Sequence, residues 1–158
     1  MRFISRVCRF AAPVLFAVVA TLAVAAGDIS SSSPSVAERL TDARKAIDKG
    51  NWRDASYTLS VAVREEPNNA DVHNLLGYYN RKKPEPDLAK AFEHYNTALK
   101  LNPKHKGAHE YLGEAYLMDK KPLEAEKLLV ALEKICGNKT CEEYQDLAAA
   151  ILKHRTIK

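Results

Sequence analysis

The chain has 158 residues, enough for one domain of ordinary size with one hydrophobic core. It carries 24 lysines and arginines against 20 acids, but three of the bases (Arg2, Arg6 and Arg9) stand ahead of an apolar run from Ala11 to Ala26. With that segment set aside, 21 bases face 20 acids, interspersed along the chain. The near balance excludes a role carried by bulk charge and gives no support to nucleic-acid binding.

The basic start, the apolar run and the small residues at Ala23 to Ala26 predict a secretory signal peptide over 1–26. The run of about 16 residues falls short of the roughly 20 that a membrane span requires. The expected protein is therefore exported, with no stable membrane anchor after cleavage. A bacterial periplasm is the expected location, with secretion as the alternative. Residues 27–35, with four consecutive serines before Pro34, predict a flexible linker.

A helical pattern begins at Val36, where Leu40, Ala43, Ala46 and Ile47 form one stripe that Gly50-Asn51 stops. Trp52 opens a second helix through Ala55, Leu59, Ala62 and Val63, ending before Pro67. A third runs from Ala70 to Lys82, with Val72, Leu75, Leu76 and Tyr79 apolar. A fourth is expected to open on Pro86, suited to a first turn, and carries Leu88, Ala91, Phe92, Tyr95, Ala98 and Leu99. A fifth starts at Lys106 and a sixth at Pro122. The last helix, expected over 140–154, starts from a capping box of Thr140 and Glu143 and reads as out of phase with the others. A lone helix with one apolar face is what closes the exposed end of a stack.

The helices repeat. Ala55, Leu59, Ala62 and Pro67 stand at the same intervals as Ala91, Tyr95, Ala98 and Pro103, and Leu76-Gly77 recurs 36 residues later as Leu112-Gly113. Small residues at fixed offsets let neighbouring helices approach closely. In these residues the chain resembles a tetratricopeptide repeat protein, of a small exported or periplasmic type with a C-terminal cysteine pair. The resemblance implies an all-α helical-hairpin solenoid of about three repeats, 36–69, 70–105 and 106–139, plus the capping helix. In the first repeat Asp42-Ala43 stands where the family has Leu-Gly, which makes its first helix the weakest match.

The predicted mature chain keeps Cys136 and Cys141, four residues apart in the intervening sequence. An even count in an exported chain reads as a disulfide. A redox-active pair would more often be C-x-x-C, and a zinc site would need further ligands, for which His154 is one candidate. No catalytic constellation and no cofactor motif is found, so an enzyme is not expected. His73 and His109 hold equivalent positions and read as packing residues.

The resemblance further implies a scaffold that binds a peptide or protein segment in a concave groove lined by the first helix of each hairpin. Carried onto this chain, the groove residues are Arg44 and Asp48; Asn74, Tyr78 and Arg81; and Glu110, Glu114 and Leu117. The carboxylate-holding clamp of the chaperone-adaptor members is largely absent, since its sites hold Leu40, Arg44, Gly107 and Tyr111. The alternatives are a structural or oligomerising envelope protein, and a thiol-redox or metal-linked accessory using Cys136 and Cys141.

Overall fold

The computed structural model describes residues 33–156. The predicted signal peptide and most of the predicted linker lie outside the described residues. Within them the chain forms seven helices: α1 (Val36–Asp48), α2 (Trp52–Glu65), α3 (Ala70–Lys82), α4 (Leu88–Leu101), α5 (Lys106–Met118), α6 (Pro122–Cys136) and α7 (Glu142–Thr156). None of them is long and apolar enough to cross a membrane.

The caps explain most of the boundaries. Ser35 and Glu38 form a reciprocal capping box at α1, while Asn51, Asn69 and Asp87 accept backbone N–H groups at the starts of α2, α3 and α4. Gly50 at φ 70° and Gly137 at φ 71° supply the left-handed turns after α1 and α6. The first helix, the weakest match in sequence, is continuous, and its Ala43 is fully buried.

Two starts differ from the sequence expectation. Helix α4 opens at Leu88 because Asp87 takes the cap. Its carboxylate accepts Lys90 N–H, and its own N–H donates to the Asn80 carbonyl, so Pro86 is left outside. Helix α7 opens at Glu142, and no box forms on Thr140, whose N–H and hydroxyl both turn back to Asn138 Oδ1. Nor is α7 out of phase: it begins 36 residues after α5, as α5 begins 36 after α3.

Consecutive helices pack as hairpins, α1 on α2, α3 on α4 and α5 on α6. The contacts between hairpins set the curvature. Helices α1, α3, α5 and α7 each touch the next of the set, whereas α2, α4 and α6 do not touch one another. The odd-numbered helices therefore form the inner face of a curved stack. Fully buried alanines (Ala43, Ala55, Ala62, Ala91, Ala98, Ala108, Ala115 and Ala125) occupy the helix crossings, where a larger side chain would hold the backbones apart. At the first end Trp52 of α2 packs against Tyr79 of α3, ring centroids 6.3 Å apart.

Candidate functional site

The inner face carries a connected cluster of arginines and aromatic rings. The Arg44 guanidinium of α1 lies 4.1 Å from the centroid of the Tyr78 ring of α3, and it donates to Tyr111 Oη of α5 at 3.3 Å. Tyr78 and Tyr111 pack with centroids 4.9 Å apart at a tilt of 47°, within the separation at which aromatic pairs attract. Arg81 stands 5.4 and 5.5 Å from the same two rings. Three successive inner helices are thus joined by cation–π and hydrogen-bond contacts.

Of the residues the sequence nominates, Arg44, Tyr78, Arg81 and Glu114 come together here. Arg81 is 7% exposed; its guanidinium pairs with Glu114 and its Nε donates to Tyr95 Oη at 3.3 Å. Burial alone would lower the pKa of this arginine, but Tyr95 and Glu114 outweigh it. The side chain is therefore taken up within the fold rather than held out for a ligand. Tyr111, which the sequence does not nominate for the groove, is central to the cluster. Burial pushes its phenol up, against the pull of Arg44.

The remaining nominated residues separate. Leu117 is buried in the apolar cluster that α7 completes. Asp48 is exposed at the end of α1. Asn74 and Glu110 lie on the inner face but are 8% and 7% exposed. Burial first, then Glu114, Asp146 and Glu143, hold the Glu110 carboxyl up at about 8, with Arg81 opposing.

Two open cavities flank the cluster. One, of about 380 Å³, lies between α1 and α3 over Leu40, Arg44, Asp71 and Asn74. The other, of about 290 Å³, lies against α5 and α7, with Glu114, Met118, Lys153 and His154 around an apolar floor of Leu117 and Ala150. Met118 is 46% exposed there.

The histidines serve the framework. His73 Nε2 meets the Pro67 carbonyl at 2.9 Å and His109 Nε2 meets the Pro103 carbonyl at 3.0 Å. A carbonyl only accepts, so each ring carries its proton on Nε2. Nδ1 of His73 then accepts from His94 at 3.2 Å, across α3 and α4, and burial together with His73 lowers the pKa of His94. His105 Nδ1 accepts Ala108 N–H to cap α5, and its Nε2 donates to Asp71 at 2.9 Å. The shared six-residue offset from proline to histidine was the signal in the sequence for the two tethers.

A disulfide joins Cys136, the last residue of α6, to Cys141, whose carbonyl accepts Gln145 N–H in the first turn of α7. With Glu143 these are the one group among the described residues that brings three potential ligand atoms within 4.8 Å of one another, but the two sulfurs are bonded to each other. His154 is not part of that group.

Residues 86–137 match the family model of the tetratricopeptide repeat. Over that stretch the chain has the tetratricopeptide repeat. Its repeats superpose on the type III secretion translocator chaperone SycD of Yersinia enterocolitica, crystallised as an alternative dimer. The TM-score is 0.63 at 17% identity, over 80% of this chain and 92% of the chaperone chain. The likeness is one of fold. No curated protein matches the chain in sequence. The repeats agree with a protein-binding scaffold as the general class.

Proposed function

We propose that the protein is an exported, periplasmic scaffold that binds a peptide or protein segment along the inner face of its repeats. The observation that carries this reading is the Arg44–Tyr78–Tyr111 cluster with an open cavity on each side. Tyr78 remains partly exposed although it lies between two arginines and a second ring. That is the arrangement of a rigid aromatic platform on which an extended segment rests while its side chains enter the flanking cavities. The export part of the reading rests on 1–26 alone.

Capture of envelope proteins by the wild type and by Tyr78→Ala tests the groove. Loss of one buried aromatic anchor commonly costs about 2 kcal/mol or more, so binding weakens at least about tenfold while the helical circular dichroism is unchanged. Undiminished capture by the variant would refute the groove. A second reading, assembly through the outer face, is favoured by Leu123 and Val130, which stand two turns apart on α6 and are 70% and 52% exposed. Loss of capture on Leu123→Lys, with Tyr78→Ala silent, would establish that reading instead.

A further inference from the structure

Four polar or charged residues among the described ones are more than nine-tenths buried: Asn74, Asn80, Arg81 and Glu110. The fold satisfies two of them. Asn80 donates to the Leu76 carbonyl at 2.9 Å, and Arg81 has Glu114 and Tyr95. The other two are left as acceptors without donors. Asn74 Oδ1 is buried with no hydrogen bond, and no hydrogen-bond donor acts on the Glu110 carboxyl.

These two residues hold the same place in successive inner helices. They stand 36 residues apart, on α3 and α5, whose starts are also 36 apart. Gly107 lets α3 and α5 approach at this point. A Cβ built there would stand 3.2 Å from Asn74 Nδ2, so the missing side chain lets the Asn74 amide lie against the start of α5, one turn before Glu110. Helix α7 places Asp146 at the equivalent point again, with Glu143 one turn ahead of it, and both act on Glu110. The cation that acts on Glu110 is Arg81, and its guanidinium is already engaged.

We propose that this part of the inner face is a subsite for a cationic side chain, the ammonium or guanidinium of a lysine or arginine in the bound segment. Glu110 is its counter-ion, Asn74 Oδ1 a neutral acceptor, and Glu143 and Asp146 the outer acids. The inference rests on the reading of the inner face as a groove for a segment of protein. A multi-donor organic cation suits the geometry better than a metal ion. No three of these carboxylates bring their oxygens within 4.8 Å of one another, as enclosing a small ion would need. Acceptors carried by α3, α5 and α7 suit instead a head group with several N–H donors.

The subsite is coupled to protons. Glu110 faces Glu114 on its own helix, Arg81 from α3, and Glu143 and Asp146 from α7. Held at about 8, its carboxyl is protonated in the free protein at neutral pH, and an incoming cation draws that proton off. Binding therefore releases a proton, and affinity rises with pH, by up to about tenfold per unit below that value, and levels off above it.

The test selects random-sequence peptides against the purified full chain and measures the dissociation constants of the enriched peptides by calorimetry, from about pH 6 to about pH 9. The expected peptides share a lysine or arginine at a fixed position. Replacing it with norleucine weakens binding about tenfold or more. Glu110→Gln does the same and flattens the pH profile, whereas Glu124→Gln on α6 changes neither. Enriched peptides that lack a fixed basic residue, or that bind Glu110→Gln undiminished, overturn the cationic subsite and leave the groove standing. If no peptide is enriched, or those enriched ignore Tyr78→Ala, the groove itself fails and the subsite with it. Calcium alone, if it binds the wild type and not Glu110→Gln, reassigns the acids to a metal and overturns the inference. Should Glu110→Gln lose its fold, the norleucine exchange decides.

Discussion

Gly77 and Gly113 hold the same place on α3 and α5, and a Cβ built on either would run into a fully buried side chain. On Gly77 it would stand 2.5 Å from the Tyr95 ring, and on Gly113 it would stand 2.6 Å from a methyl of Leu147. The partners come from different sources. Tyr95 belongs to α4, the other half of the same hairpin, whereas Leu147 belongs to α7, outside the hairpin. At the register where α4 has Tyr95, α6 has Leu129, which is only partly buried against the cluster around Leu147. The inner hairpin closes over its own glycine. The last one lacks the ring to do so and borrows a side chain from the capping helix.

Truncating each plug tests that difference most strongly. Tyr95→Ala removes a fully buried ring and strips Arg81 of an acceptor, so a loss of about 3–5 kcal/mol is expected, with the stack unfolding in one transition. Leu147→Ala should cost about 2–4 kcal/mol, and hydrogen exchange should show α7 losing protection before α3 and α4. Simultaneous loss throughout the chain in Leu147→Ala would break the comparison, since the cap would then be as integral as the hairpins.

Reducing the disulfide sharpens it. Opening so short a loop is expected to cost about 2 kcal/mol by chain entropy, read as a lower midpoint in urea with helical circular dichroism retained. Combined with Leu147→Ala the effects should not add, because both act on the seat of α7. Additive losses would separate the two.

The smallest effects come from filling the glycines. Gly77→Ala must displace a rigid ring held by Arg81 and should cost about 1–3 kcal/mol. Gly113→Ala meets only the branched end of a leucine, which can turn aside, and alanine gains about 1 kcal/mol of helix propensity over glycine. A net change below about 1 kcal/mol is expected in thermal denaturation. Equal losses in the two variants would mean that ring and leucine close their glycines alike.

The same contrast marks how far the sequence could be read. The starts at Val36, Trp52, Ala70, Lys106 and Pro122 were legible because caps and apolar spacing are local, and the small residues of the repeats announced close crossings. Pro86 misled because two local signals competed, and Asp87 outcompeted it by bonding both Lys90 and Asn80. Thr140 misled because its box competes with the Asn138 turn inside a closed loop. At the candidate site the register placed Arg44, Tyr78, Arg81 and Glu114 on one face, but their depth was beyond it. The burial of Arg81 and Glu110 depends on how closely α3, α5 and α7 approach, a distance that no single repeat encodes.

The chain has one tryptophan, Trp52, seated against Tyr79 at the first end of the stack. Tryptophan emission is consequently a local gauge. It follows the separation of α2 from α3, while α7 can detach at the far end with the emission spectrum unmoved. A tryptophan-fluorescence melt of this protein thus records one end of the stack and a circular-dichroism melt the whole of it, and the interval between their midpoints measures how tightly the two ends are coupled.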